Sequence, residues 1–316
     1  MSPTDIFSPA TTPARWVFDL SLMVYAVTAA IFFVVFSLLV YSVVKFRARK
    51  GDDGREPPQV YGSRQIELAW TIIPILIVLV LFLASARVIA FTQRTSFEQK
   101  PLDVDVVGHQ FWWEYRYPGL GVVTANELHV PASDPARPTP TLLHLYSADT
   151  DHSFWVPRLA GKTDLIPNFP NSMWIDPVEP GLYLGQCAQY CGTQHAKMLL
   201  RVYVQSPGDF AKWVAGQSQP AIVSAAVARG REVFARAACM NCHAIAGTAA
   251  TGRFGPDLTH LMSRDTLASG IIPNTRANLR GWIKDPSAFK PGSLMPAMGY
   301  DESDLDALTD YLMTLR

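Results

Sequence analysis

Net charge is missing from this chain. Its 27 Lys and Arg are matched by 27 Asp and Glu over 316 residues, so the overall balance favours neither nucleic acid nor another polyanion. Charge is also missing locally: none falls between Leu20 and Val44, a run of 25 residues, or between Leu68 and Ala86, a run of 19. A conventional secretory leader is absent, because the first 15 residues are polar and proline-containing, without a basic start and an apolar stretch. Either the first apolar run serves as its own insertion signal or a leader has been removed. There is no internal repeat and no low-complexity block. Cysteine is scarce, with two pairs at Cys187/Cys191 and Cys239/Cys242. In an oxidising compartment the default use of such pairs is two disulfides. The residues around both pairs favour other uses.

The apolar runs are the first positive signal. As a helix, the first spans roughly 37 Å at about 1.5 Å per residue, enough to cross a bilayer. The second crosses with little tilt. A soluble core helix is seldom uncharged all round for such a length. Pro74 lies inside the second run, which a membrane helix tolerates when neighbours satisfy the freed carbonyl. Lys45, Arg47, Arg49, Lys50, Arg55 and Arg64 occupy the connection, which the positive-inside rule places in the cytoplasm. Both termini, and everything after about residue 95, then lie on the other side of the inner (cell) membrane.

Residues 101–205 read as β-structure. Leu102–Val107, Leu142–Tyr146 and Leu199–Val204 are rich in Val, Leu and Tyr, and clusters such as Pro131-Ala-Ser-Asp-Pro135 punctuate them. Short strands between Pro/Gly turns suggest a sandwich or barrel. Residues 206–221 read as a linker, and about sixteen flexible residues would span roughly 20–25 Å. A helical pattern begins at Ser224. Another, Asp304 to Leu315, has Leu305, Leu308, Tyr311 and Leu312 at helical spacing and Ser303 as its cap. The expected division is 1–96, 97–205, 206–221 and 222–316.

Cys187-Ala-Gln-Tyr-Cys191-Gly-Thr-Gln-His195-Ala-Lys-Met198 carries the strongest chemistry. Two thiols, an imidazole and a thioether fall within one short stretch, and His152 lies upstream in Asp149-Thr-Asp-His-Ser-Phe-Trp. This donor mixture suits copper better than zinc, which takes no thioether. Two thiolates on one loop could bridge a pair of ions, each needing its own terminal imidazole. A disulfide would leave His195 and Met198 unexplained, and a zinc site would leave Met198 idle.

From the apolar hairpin through about residue 205, the chain resembles cytochrome c oxidase subunit II. The resemblance implies a cupredoxin-like β-barrel behind a two-helix transmembrane hairpin. It implies a binuclear copper centre bridged by Cys187 and Cys191, with His152 and His195 as terminal ligands. Met198 and the main-chain carbonyl of Gln189 would be weak axial ligands. That family usually has Glu at position 189, reaching a magnesium ion shared with subunit I, so Gln189 removes that carboxylate. Gly108-His-Gln-Phe-Trp-Trp-Glu-Tyr115 resembles the family's aromatic segment for electron uptake, with Phe111 where Trp is common and Trp112 next to it. Core packing is the competing use of these aromatics. Glu67 matches a carboxylate at the cytoplasmic mouth of a proton path; alternatively it is an ordinary acid at a helix start.

Cys239-Met-Asn-Cys242-His243 is the pattern for covalent haem c attachment, with His243 as proximal iron ligand. Phe254-Gly-Pro-Asp-Leu258 and Lys290-Pro-Gly-Ser-Leu-Met295-Pro resemble segments of class I cytochromes c, all-α domains in which a proline supports the histidine and a methionine closes the iron. Pro256 and Met295 fill those roles, with Met298 in reserve, and Tyr311 should pack on Gly230 and Phe234. The whole resembles subunit II of a caa-type oxidase. That likeness implies a relay from a soluble or membrane cytochrome donor through haem c and copper to subunit I, which would reduce oxygen to water and translocate protons, with subunit III alongside. A quinol oxidase subunit lacks copper ligands, nitrous oxide reductase lacks this hairpin, and a copper-delivery module would need no relay.

Overall fold

The structure is a computed structural model that describes residues 4–47, 56, 59, 61–221 and 225–316. It divides into two compact units, Trp16–Thr92 and the rest, residues 1–15 with 93–316.

The first unit is the apolar hairpin. Helix α1 covers Thr12–Lys45 and α2 covers Arg64–Thr92, continuing through Pro74. Trp16 near the start of α1 stacks on Phe91 near the end of α2, with ring centroids 4.3 Å apart, so the helices run antiparallel. Phe32, Phe33, Val78 and Phe82 are exposed, as expected of faces made for lipid. The Ser42, Thr71 and Thr92 hydroxyls donate to carbonyls four residues back, satisfying polar groups that hydrocarbon could not. Arg49, Lys50 and Arg55 of the basic connection, and Ser224, lie outside the described residues.

The second unit begins with the β-domain. Its strands are β1 (Leu102–His109), β2 (Trp112–Tyr117), β3 (Val122–Ala125), β4 (Glu127–Pro131) and β5 (Thr141–Ser147). They continue as β6 (His152–Trp155), β7 (Thr163–Leu165), β8 (Asn171–Ile175), β9 (Gly181–Cys187) and β10 (Leu199–Gln205). They form two five-stranded sheets, in the orders β3-β2-β1-β5-β8 and β4-β10-β9-β6-β7. Alternation sets the core: in β10, Leu200, Val202 and Val204 point inward between outward Arg201 and Tyr203. Trp113, Tyr115, Tyr117 and Leu143 fill the space from the first sheet. The chain's N-terminal segment joins this unit, because Thr12 donates its N–H and its hydroxyl to Asp176.

The presumed linker is largely helical. Helix α3 covers Pro207–Gln217; Ser206 caps it by accepting from the Asp209 N–H, and Pro207 takes the first turn. Phe210 is buried, and Trp213 stacks on His129 at 4.3 Å. Ser-Pro-Gly reads as a turn, yet Ser followed by Pro is also a helix opening, and Phe210, Trp213 and Val214 share one face. At its far end, His260 donates from Nε2 to the Gln217 and Gln219 carbonyls, at 3.1 and 2.9 Å. The flexible-tether length therefore does not apply.

The cytochrome-like domain has α4 (Ala228–Arg236), α5 (Arg276–Lys284), α6 (Pro286–Phe289) and α7 (Glu302–Leu312). Tyr311 of α7 lies over Gly230 and meets Phe234 edge-on, as expected from the sequence. The cap of α7 is Asp301, not Ser303: its carboxylate accepts from the Asp304 N–H at 2.7 Å. The β-domain is hydrogen-bonded to this domain. Glu127 accepts from Asp265 and Thr266, and Tyr203 donates to Asp265 at 2.6 Å.

Candidate redox site

Strand pairing assembles the sulfur-rich cluster. Cys187 ends β9 on its inward face, and its N–H donates to the Met198 carbonyl at 2.9 Å, closing the loop that carries Cys191 and His195. His152 opens β6, whose Phe154 pairs with Cys187. The two thiols are unlinked, with Sγ atoms 3.9 Å apart. Cys187 Sγ lies 3.9 Å from His152 Nδ1 and 3.2 Å from the Gln189 carbonyl oxygen. Cys191 Sγ lies 3.7 Å from His195 Nδ1 and 3.9 Å from Met198 Sδ. Donors each about 2.3 Å from a shared ion at a near-tetrahedral angle stand roughly 3.8 Å apart, so these separations suit atoms joined through metal. Cys187, Cys191, His152 and Met198 are buried, whereas the loop tip, Gln189 and Tyr190, is exposed.

The surroundings prepare the donors. A carboxylate only accepts, so His152 must donate from Nε2 to Asp149 at 2.8 Å, which leaves Nδ1 for a metal. Gly108 gives that ring room, since a Cβ there would stand 2.8 Å from His152 Cδ2. The hydrogen bond between the two thiols holds Cys187 well below the usual range and pushes Cys191 up, with burial adding to the rise. A metal removes that conflict by taking both sulfurs as thiolates.

A cavity of about 400 Å³ lies against the other cysteine pair. Cys239, Cys242, His243, Pro256, Trp282, Met295 and Met298 all border it. His243 donates from Nδ1 to the Pro256 carbonyl at 2.7 Å, leaving Nε2 for an iron ion. Gly255 permits this approach, because a Cβ there would meet His243 Cε1 at 2.6 Å. Arg264 also borders the cavity; its Nε is buried without a hydrogen-bond partner, and burial lowers its pKa. Its Nη2 donates to the Asp257 carbonyl at 2.6 Å, and the unpartnered Nε fits a group that carries carboxylates, as haem does. Of the two candidate thioethers, Met295 is half-buried and Met298 exposed.

The aromatic segment divides between the core of the β-domain and the wall of the cavity. Trp113 is core, fully buried against Phe154 and His152. Phe111, in the β1–β2 turn, is buried with that same core, and both it and Trp112, which opens β2, border the cavity. Glu67 lies exposed in the first turn of α2, apart from either cluster in sequence and in unit. Asp149, Arg264, Gln110 and Lys290 were not singled out from the sequence. Only Asp149 left a trace there, as an acid three residues before His152.

The hairpin, the barrel with its sulfur-rich loop and the haem-type crevice define a membrane-anchored electron-transfer protein. Comparison narrows the class. The family described as "Cytochrome C oxidase subunit II, transmembrane domain" matches residues 4–88, and that described as "Cytochrome C oxidase subunit II, periplasmic domain" matches 135–205. "Cytochrome c" matches 227–316. Cytochrome c oxidase subunit 2 of Alkalihalophilus pseudofirmus is 34% identical over 98% of this chain and 90% of its own. The protein of that name from Bacillus sp. strain PS3 is 32% identical over 86% and 80%. A crystal structure of the periplasmic domain of subunit II from Bradyrhizobium japonicum is 27% identical, covers 38% of this chain and 96% of that one, and has a TM-score of 0.35. The chain belongs to the cytochrome c oxidase subunit II family. It is a membrane-anchored subunit of a haem–copper oxidoreductase, with its copper and haem c domains outside the cytoplasm.

Proposed function

We propose that this subunit is where electrons enter a proton-translocating oxidase: a cytochrome donor reduces haem c, copper is reduced next, and subunit I receives the electrons for oxygen reduction. Haem c and a binuclear copper centre would supply reversible one-electron chemistry at fixed positions. Cys187 and Cys191 would bridge the copper pair, with His152 and His195 as terminal ligands and Met198 and the Gln189 carbonyl as weak ones. Cys239 and Cys242 would hold haem c covalently, with His243 and Met295 on its iron and Pro256 fixing the His243 ring. Phe111 and Trp112 would line the way between the centres. The observation that carries this reading is that both residues, from the copper domain, form part of the wall of the haem crevice. Glu67 is assigned to proton uptake by family resemblance alone. Subunit III completes the proposed complex, and a shared magnesium ion would bind weakly without a carboxylate at Gln189.

Metal analysis of the purified oxidase, together with flash reduction of haem c, tests this. Two coppers and one haem per copy of this chain are expected, beyond the metals of subunit I, with electrons leaving haem c for copper before subunit I responds. A single copper with both thiols titratable, or copper reduced ahead of haem c by the native donor, would overturn it.

A further inference from the structure

The copper loop and the segment that leads to Met295 are hydrogen-bonded to each other. Gln194, between Cys191 and His195, donates to the Pro291 carbonyl, and Lys197 donates to the Phe289 carbonyl at 2.8 Å. A third contact runs the other way. Lys290, only 3% exposed, donates from Nζ to the Phe111 carbonyl at 2.7 Å and lies 3.4 Å from the Ala268 carbonyl. Among the described residues no carboxylate pairs with it. Burying a lysine amine without a carboxylate partner is costly, so its placement calls for a role that an apolar residue could not fill.

Phe111 is also tied to the copper ligands. The Gln110 N–H donates to Asp149 at 2.6 Å, and Asp149 holds His152. The Gln110 side chain donates to the Cys191 carbonyl at 2.5 Å. A continuous route thus runs from His152 and Cys191 through the Gln110–Phe111 peptide to Lys290, which begins the Met295 segment and borders the crevice.

We propose that Lys290 is a positioning residue for electron transfer between the two centres: it locks the Met295 segment onto the Phe111 turn and so fixes the crevice against the copper ligands. The inference rests on the relay reading above. Its physical content is distance, because a donor that spans two domains sets their separation only while its hydrogen bond holds.

The test uses the whole oxidase. Lys290→Met removes the donor and keeps the apolar stem, whereas Lys290→Arg keeps donors. With haem and copper contents unchanged, Lys290→Met should slow haem-to-copper transfer about tenfold or more and speed amide exchange at Trp112. Lys290→Arg should stay nearer the wild type in both. Transfer and exchange at wild-type values in Lys290→Met, or an Arg variant as impaired as the Met one, would overturn the proposal. A measurement on the wild type guards against a variant that fails to assemble. Reductive methylation should modify Lys212, whose side chain is 81% exposed, well before Lys290. Equal labelling of the two would refute the lock whatever the variants do. If the wild type passes no electrons from haem c to copper while Lys290 stays protected, the relay fails and the lock stands.

Discussion

Glu127 in β4 receives both the N–H and the hydroxyl of Thr266 on one carboxylate oxygen, at 2.9 and 2.7 Å, and the Asp265 N–H on the other at 3.1 Å. The carboxylate is buried and belongs to the copper domain, whereas its donors belong to the cytochrome domain. Replacing Glu127 with Leu strands those donors in the interface. Each buried donor left without a partner costs about 1–3 kcal/mol, so Glu127→Leu should loosen the docking by a few kcal/mol. Faster amide exchange at Asp265 and Thr266, with the copper spectrum preserved, is the expected outcome.

Met198 and Cys191 should behave differently when replaced. Thioethers at long range tune a copper site more than they hold it, and Leu nearly matches Met in volume. Met198→Leu should retain copper with a changed potential. Cys191→Ser should abolish the paired site, because the sulfur 3.9 Å from Cys187 has no substitute. Metal content and redox titration of the two variants give the check.

Gln189 faces outward beside exposed Tyr190, while only its carbonyl approaches Cys187. A neutral amide is a poorer ligand than a carboxylate for a hard cation. In the assembled oxidase, Gln189→Glu should therefore bind manganese more tightly than the wild type, with the copper spectrum unchanged. Magnetic resonance of added manganese reads the difference.

Acid should find a weak point at Glu114. Burial alone would raise its pKa, but hydrogen bonds from His109 and Arg116 outweigh burial and hold it at about 2. Between the unfolded value of 4.5 and this folded one, the unfolded chain binds more protons, so stability is present above pH 4.5 and lost as pH falls towards 2. The full difference is about 3 kcal/mol. Glu114→Gln should be less stable at neutral pH, with a flatter loss of near-ultraviolet circular dichroism between pH 4.5 and 2.5.

The sequence made the chemistry legible where ligand spacing is set within one loop. Cys187 to Met198 and Cys239 to His243 could be read directly, because the chain itself holds those donors close. Membrane helices were legible for a similar reason, since lipid demands an unbroken apolar run. Contacts that depend on two domains meeting were not. Arg264 and Lys290 look like ordinary surface cations until the packing buries them, and Glu127 looks like a solvent-facing strand residue. Helix α3 was hidden by its own composition: Ser-Pro-Gly carries a turn signal and a capping signal together, and burial of Phe210 and Trp213 decides between them.

The pinning of α3 to both domains bears on how the oxidase should respond to its medium. Trp213, inside the helix, holds it to His129 of the copper domain, and His260 of the cytochrome domain holds its C-terminal end through two carbonyls. A partner that must be met by diffusion slows in viscous solvent and, when charged, in salt. A partner already fastened in place has no encounter to slow. Glycerol and salt should therefore act on the arrival of the external donor and leave the internal step nearly untouched, so the same preparation would show two sensitivities according to which step limits turnover.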